Sequence, residues 1–221
     1  LIKNTLAPED LGTLITHVVE NRNPNPIKGI SNINSVALLT LQGNGMVGIP
    51  GFSKRLFETL AREKINVIIA TQASSEHSIC VGITDKESTL AKYVIDKEFE
   101  NEISLFKIDP LVVETNLSII AIVGDQMKSH QGISGKMFST LGRNNINIRA
   151  IAQGASERNI SAIIAESDVE KALNCLHERF FESETKQINL FISGVGNVGK
   201  SLINQIEQQK KYIKSTLNVM L

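Results

Sequence analysis

The residues of this sequence that could bind a ligand form a polar set that occurs twice. Gln72 and Gln153 stand 81 positions apart, and a loop and an asparagine precede each of them at the same offset. A glutamine amide both donates and accepts hydrogen bonds, and loop amides can bind a carboxylate, so each set suits a small zwitterion with a polar side chain. The predicted effector-binding residues are Gln72, Asn66, Gly43, Asn44, Gly45 and Met46 in the first copy, and Gln153, Asn147, Gly124, Asp125, Gln126 and Met127 in the second.

Each of these positions also has a purely structural interpretation. A glutamine at the end of a hairpin strand can be an ordinary turn residue, the two asparagines can cap a helix exit, and the two methionines can serve packing. Glu76 and Glu157, which also recur, are expected to be solvated turn residues or members of structural ion pairs. The recurrence of each glutamine near a shared Ser-Glu pair favours ligand binding, because a core alone would not need these polar identities.

A second glycine-rich stretch lies near the end of the sequence. Residues 194–201 read Gly-Val-Gly-Asn-Val-Gly-Lys-Ser, which satisfies the dinucleotide fingerprint G-x-G-x-x-G and also the P-loop pattern G-x-x-x-x-G-K-S. The fingerprint is the better fit, because the glycines lie between a predicted strand and a predicted helix. The predicted cofactor-binding residues are Gly194, Gly196, Asn197, Val198 and Gly199.

This dinucleotide site is expected to be incomplete. The acidic residue that should follow about 20 positions later falls at or beyond Leu221, so we expect no cofactor to bind to this chain. The alternative is a bare strand, turn and helix. We interpret the chain as a piece of a longer protein.

Composition and motif content exclude several function classes. The 221 residues contain 23 basic side chains (lysine and arginine) and 23 acidic ones (aspartate and glutamate). The sequence therefore has no excess of positive charge that would indicate binding to nucleic acid or to an anionic membrane. No apolar run could span a bilayer and no signal peptide is recognisable, so we expect a cytoplasmic protein with reduced thiols at Cys80 and Cys175. The four histidines lack metal-ligand spacing and no nucleophile–base arrangement is visible, so we predict neither a metal site nor catalysis by this chain.

The elements that must position these residues repeat in the same order as the residues do. Between Gly43 and Ile79, 14 of 37 positions are identical to those found 81 positions later, which establishes an internal repeat. Hydrophobic patterns predict an α+β fold of two ferredoxin-like β-α-β-β-α-β units with antiparallel sheets. The predicted strands are 36–41, 65–71, 78–83 and 103–108 in the first copy, and 117–123, 146–153 and 159–165 in the second.

The second copy lacks a fourth strand of its own. The apolar run at 188–193 leads into the glycine loop and is predicted to begin a truncated Rossmann-type βα unit. We therefore predict that a strand at 13–18 completes the second sheet, which would insert the first unit within the second. The predicted divisions are a leading segment and linker, two units and the truncated unit, at residues 1–35, 36–110, 111–184 and 187–221.

The motifs around the two glutamines resemble those of ACT domains, which are amino-acid-sensing modules of biosynthetic enzymes. Residues 70–76 read Ala-Thr-Gln-Ala-Ser-Ser-Glu, and residues 151–158 read Ile-Ala-Gln-Gly-Ala-Ser-Glu-Arg. Residues 2–5 and 12–15 look like the end of an aspartokinase catalytic part, and residues 191–199 resemble the opening of a homoserine dehydrogenase domain. Over essentially its whole length the chain resembles the tandem ACT regulatory region of bifunctional aspartokinase–homoserine dehydrogenases.

This resemblance implies L-threonine as a feedback inhibitor, with Gln72 and Gln153 marking two effector sites. It also implies a homodimer or higher homo-oligomer formed through the ACT sheets. Catalytic parts that use ATP with magnesium and NAD(P) are implied for the parent enzyme and not for this chain. The alternative is a structural dimerisation linker that binds no effector.

Overall fold

The described part of the chain is an α+β structure with one large antiparallel sheet. This computed structural model describes residues 1–15, 26–72, 76–125, 127, 130–154, 158–181, 186–187, 190–194, 196–217 and 219–220. Its helices are α1 (Phe52–Arg62), α2 (Ser88–Glu98), α3 (Glu100–Ser104), α4 (Ile133–Arg143), α5 (Val169–Phe181) and α6 (Asn197–Leu217). Its strands are β1 (Ile27–Gln42), β2 (Ile69–Gln72), β3 (Ser78–Thr84), β4 (Val112–Gly124), β5 (Ile148–Gln153), β6 (Asn159–Ala165), β7 (Lys186–Gln187) and β8 (Val219–Met220).

Two long strands, β1 and β4, run through both repeats at the centre of this sheet. The strand order is β2-β3-β1-β4-β6-β5, and all neighbours are antiparallel. Val36 on β1 pairs with Leu117 on β4, and these two residues are equivalent positions of the repeat. The ladder is therefore symmetrical about this pair. Just before it, Ser35 and Asn116 both have a φ of 57°, a left-handed conformation at which each long strand is interrupted.

The fourth strand of each unit is the continuation of the other unit's first strand. In the first unit this strand is the beginning of β4, where Val112 and Val113 pair with Thr40 and Leu39. In the second unit it is the first half of β1, residues 27–33, which pairs with the second half of β4. Each unit thus has the four-strand order of a ferredoxin-like fold.

Two of the strands predicted for the two ferredoxin-like units are wrong. Residues 103–108 form the end of α3 and a turn, because Phe99 and Ile103 lie four positions apart and both face the first core, which is helical spacing. At 13–18, Thr13 forms only a bridge with Ile2, while Leu14 and Ile15 are exposed, and residues 16–18 lie outside the described residues. The edge position predicted for that strand belongs to residues 27–33.

Three apolar clusters hold the layers together. The first, around Leu39 and Leu56, lies between the sheet and helices α1 and α2, and the second, around Ile120 and Met137, lies between the sheet and helices α4 and α5. The third cluster includes Val36, Leu117 and Ile163 and lies on the face of the sheet away from the helices. The edge strands β2 and β5 contact each other across this face. Each fully buried aliphatic side chain contributes about 1.5–3 kcal/mol.

A polar clamp fixes the start of β4 to helix α2. The Asp96 carboxylate accepts a hydrogen bond from the Leu111 amide at 2.7 Å and one from the Lys92 ammonium at 2.9 Å. Lys92 also donates to the Leu111 carbonyl at 2.6 Å. Leu111 is buried, so its backbone N–H and C=O groups need partners within the protein, and this clamp provides both.

The C-terminal segment is a helix flanked by a two-residue strand pair. Strands β7 and β8 are parallel to each other, and helix α6 connects them. The strand predicted at 188–193 is wrong for residues 190–193, which form no strand and leave Phe191 almost fully exposed. A Rossmann-type unit in this segment remains a prediction. No helix among the described residues has the length and apolar content needed to cross a membrane.

Candidate functional site

A cleft of about 310 Å³ lies where strand β2 ends at Gln72. Strand β2 is an edge strand, and the side chain of its last residue, Gln72, lines the cleft. Apolar side chains line one part of the cleft, and polar side chains line the other. The apolar group includes Met46, Phe52 and Ile79, and the polar group is Ser53, Gln72 and Glu76.

The N-terminus of helix α1 forms one wall of this cleft. Gly51 precedes the helix with a φ of 110°, and no side chain caps the helix start. The first amides of an α-helix have no partner within the helix and carry partial positive charge, so this wall can bind an anion. The second helical residue, Ser53, adds a half-buried hydroxyl group beside those amides.

A carboxylate faces the same cleft. Glu76 is the one charged residue of the cleft lining, and its Oε2 accepts a hydrogen bond from the Gly48 amide at 2.8 Å. Its second oxygen can accept from an ammonium group. Glu76 was expected to be a solvated turn residue or a member of a structural ion pair; its backbone φ of 57° turns the chain there, and its side chain also lines the cleft. A helix start and a carboxylate in one cleft suit the two charges of an amino acid.

The second unit repeats the glutamine, the helix start and the serine of this arrangement. Gln153 ends the edge strand β5. Helix α4 begins after Gly132, which has a φ of 85°, and no side chain caps the start of this helix. The Ser134 hydroxyl donates a hydrogen bond to Gln153 Oε1 at 3.1 Å. Ser134 and Ser53 are equivalent positions, and sequence reasoning missed both. The sequence did contain a signal for them, because the same residue type, serine, occurs at both positions of the 81-residue repeat.

Part of the predicted loop set serves the fold and not the cleft. The Gly43 amide donates to the His77 carbonyl at 3.0 Å and the Gly45 amide to the Lys107 carbonyl at 2.8 Å, so in this structure both amides are used by the fold, and carboxylate binding by this loop stays a prediction. A Cβ at Gly43 would lie 2.4 Å from the Ile108 Cα. Glycine is therefore needed here for the close approach of the segment that leads into β4.

The second loop has the same structural role. The Gly124 amide donates to the Arg158 carbonyl and the Asp125 amide to the Pro26 carbonyl, both at 2.9 Å. A Cβ at Gly124 would lie 2.3 Å from the Pro26 oxygen. Met127 is buried like Met46, whereas Gln126 lies outside the described residues.

The predicted asparagines are separated from the glutamines. Asn66 and Asn147 are exposed and lie before strands β2 and β5, whereas the glutamines end these strands. Asn66 is not part of the cleft lining, and ligand binding by either asparagine stays a prediction. Asn44 is exposed in the loop after β1 and is not part of the cleft lining.

The glycine loop near the C-terminus forms a tight turn into helix α6. Gly194 has a φ of 92°, and a Cβ at Gly199 would lie 2.4 Å from the Gly194 oxygen. Asn197 begins the helix, and Val198 is largely exposed. Because residues 190–193 form no strand, the described residues place no sheet against this loop. Cofactor binding by Gly194, Gly196, Asn197, Val198 and Gly199 stays a prediction for the longer protein.

A charged network lies directly behind the first cleft. The Phe52 ring stacks on the Phe99 ring at 5.6 Å, and the Arg55 guanidinium lies 4.3 Å from the Phe99 centroid. Arg55 also pairs with Glu98 at 3.1 Å and with Glu102. Hydrogen bonds from Arg55 hold the pKa of both carboxyl groups below the ordinary value, and the pKa of Arg55 is raised in turn.

The described residues contain no metal site and two free thiols. Among them there is no group of three or more histidine, cysteine, aspartate or glutamate side chains that could hold a metal ion. Cys80 and Cys175 are free thiols in the structure. Burial raises the pKa of the Cys175 thiol, which keeps it protonated and unreactive at neutral pH.

Two ferredoxin-like units that share their long strands, with the same glutamine and serine beside the first helix of each, define a tandem α+β module. The chain belongs to the ACT domain family, because a model of that family matches residues 39–99 and 120–180. The two matches start 81 residues apart, which is the offset of the internal repeat.

Comparisons with individual proteins agree with this family. The chain is 39% identical over 213 residues to a protein of Haemophilus influenzae named bifunctional aspartokinase/homoserine dehydrogenase, covering 96% of this chain and 26% of that protein. Its structure matches aspartate kinase from Clostridium acetobutylicum with a TM-score of 0.68 at 26% identity, covering 80% of this chain and 41% of that one. It also matches the structure of E. coli aspartokinase III in complex with lysine and aspartate, with a TM-score of 0.57 at 27% identity. This match covers 73% of this chain and 34% of that one. The chain thus spans about a quarter of the length of the curated relative.

Proposed function

We propose that this chain is the regulatory region of a bifunctional aspartokinase/homoserine dehydrogenase and that it binds L-threonine for feedback inhibition of amino-acid biosynthesis. The name of the Haemophilus relative and the match over nearly the whole chain support the parent enzyme. Aspartokinase activity with ATP and magnesium, and NAD(P)-dependent dehydrogenase activity, then belong to other parts of that enzyme. A cytoplasmic location and a homo-oligomer formed through the exposed edge strands are parts of the same proposal.

The observation that carries this proposal is the recurrence of a glutamine at the end of an edge strand beside an uncapped helix start. In the first unit, the amino acid's carboxylate would bind the amides of α1 and its ammonium group would bind Glu76. Its side-chain hydroxyl would then lie near Gln72 and its methyl group near Met46. The cleft volume of about 310 Å³ is at the small end of ligand sites.

The shared strands supply a route by which binding would reach the attached catalytic parts. A ligand regulates an enzyme only by preferring one of its arrangements, and typical coupling is about 1–3 kcal/mol. Because β1 and β4 run through both units, a change at either cleft acts on the same pair of strands. The structure of E. coli aspartokinase III with lysine supports amino acids as the ligand class for this fold.

The test is calorimetric titration of the chain with L-threonine. Wild type should bind saturably, while Gln72→Ala and Gln153→Ala should each lose one site or weaken it about fivefold or more, since each removes a hydrogen-bonding amide. Gln208→Ala on the exposed face of α6 is the matched control and should bind like wild type. Absence of heat with any amino acid would favour the structural dimerisation linker.

A further inference from the structure

We infer that Ser53 and Ser134 orient the amide groups of Gln72 and Gln153 and thereby decide which ligand side chains each unit accepts, an inference that rests on the function proposed above. Both serines are the second residue of the first helix in their unit. Neither has a role in packing of the core clusters. Each serine recurs at the same 81-residue offset as its glutamine, so both halves of the repeat contain the same Ser–Gln pair.

The second unit provides the geometry. Ser134 Oγ donates to Gln153 Oε1 at 3.1 Å, so the amide oxygen is directed at the serine. The terminal torsion of a glutamine has a broad, two-fold preference, so an unpartnered amide can present either its oxygen or its nitrogen. The serine removes this ambiguity, because an oxygen that accepts from Ser134 leaves the Nε2 group as the donor available to a ligand.

The first unit places the same two side chains in one cleft. Ser53 and Gln72 both line it, and among the described residues Ser53 is the one lining residue with a hydroxyl side chain. The remaining polar side chain, Glu76, is held by the Gly48 amide through one oxygen. Ser53 is therefore the side chain in this cleft that can give Gln72 the orientation that Gln153 already has.

An amide oriented in this way selects the ligand by its hydrogen-bonding capacity. An Nε2–H donor needs an acceptor, which the hydroxyl oxygen of a hydroxy amino acid provides. A lysine side chain ends in an ammonium group, which has donors only, so the oriented amide disfavours it. Without the serine, the amide can turn its oxygen toward the ammonium group. The serines should therefore separate hydroxyl-bearing from ammonium-bearing amino acids.

The experiment compares dissociation constants for L-threonine and L-lysine in four forms of the full 221-residue chain. These are wild type, Ser53→Ala/Ser134→Ala, Ser53→Thr/Ser134→Thr and the control Ser139→Ala, whose exposed hydroxyl bonds only to the Lys136 carbonyl of its own helix. In the alanine pair we expect threonine to bind about fivefold more weakly and the lysine-to-threonine Kd ratio to fall about tenfold. The threonine pair keeps the hydroxyl and should restore the wild-type ratio, as should the control.

The outcomes separate this inference from the proposed function. If wild type binds threonine and the alanine pair has an unchanged lysine-to-threonine ratio, only the serine role is overturned. An equal weakening of both ligands would mean that the serines merely stabilise the helix start, and it would overturn that role as well. If wild type binds neither amino acid, the proposed function fails and the serine role falls with it.

Discussion

Replacing Arg55 with methionine should destabilise the first unit measurably while leaving its core intact. Arg55 joins three helices, because it extends from α1, pairs with Glu98 on α2 and Glu102 on α3, and donates to the Glu98 carbonyl at 2.6 Å. Methionine keeps the apolar stem that covers Phe99 but removes every one of these polar contacts. The two carboxylates would then lie close together without their shared cation.

The expected loss is about 2 kcal/mol. Partly exposed ion pairs contribute about 0.2–1 kcal/mol each, and a hydrogen bond to a carbonyl contributes about 1 kcal/mol. The side chain of Arg55 is 35% exposed and those of Glu98 and Glu102 are 26% and 22% exposed, so solvent screens the pairs only in part. For a chain of this size, such a loss corresponds to a fall in Tm of about 4–8 °C.

Urea unfolding at several pH values provides the assay. Both carboxyl groups have a folded-state pKa below the ordinary value of 4.5, so their contribution is fully present above that value and is lost as the pH falls through the lower folded pKa. The difference in unfolding free energy between wild type and Arg55→Met should therefore be constant from pH 6 to pH 8 and shrink below about pH 4.5. Arg143→Ala, at the exposed end of α4, is the control and should change stability by less than about 0.5 kcal/mol.

Two results would refute this reasoning. A loss of less than about 0.5 kcal/mol at pH 7 would show that the network is screened like an ordinary surface pair. A loss that stayed the same at pH 3 and pH 7 would show that the carboxylates do not contribute and that the effect arises from packing alone.

Three further changes test the polar clamp and the glycines. Asp96→Asn weakens the pairing with Lys92 at the start of β4 and should cost about 1–2 kcal/mol in urea unfolding, with little change in ligand binding. Gly43→Ala should cost about 1–3 kcal/mol by the same measurement, because the new Cβ overlaps the Ile108 backbone. Gly142→Ala in α4 meets no atom within 4 Å and should instead raise stability by up to about 1 kcal/mol; a fall would contradict this use of helix propensity.

The repeat made most of the fold predictable. Equivalent residues at an 81-position offset fixed the order of strands and helices in both units, and the glutamines lie where strand ends were expected. The origin of the fourth strands was not predictable from local patterns, since a short apolar run such as residues 103–108 suits a strand or a helix equally. Which distant strand completes a sheet depends on pairing between distant residues, as with 27–33 and β4, and not on local composition.

The site could be predicted only in part. Gln72, Gln153 and Met46 follow from recurrence, but recurrence does not separate ligand binding from structural need. Gly43 and Gly124 recur because backbone segments pass within 2.4 Å of a would-be Cβ, a contact between residues far apart in sequence. Ser53 was overlooked and Glu76 was expected only in a turn or an ion pair, because recurrence alone does not show which side chains line a cleft.

The continuous strands β1 and β4 also limit how this protein can tolerate changes in length. Most tandem domains are joined by a tether that accepts insertions, whereas here the junction is a hydrogen-bonded ladder at Val36 and Leu117. Adding or removing one residue in either strand would turn every following side chain to the opposite face of the sheet. Apolar residues of that part of the strand would leave the core, and polar residues would take their places. The pairing of β1 with β4 shifts register near the left-handed residues Ser35 and Asn116 and between Ile27 and Gly29, and elsewhere the ladder itself fixes the spacing of the two units.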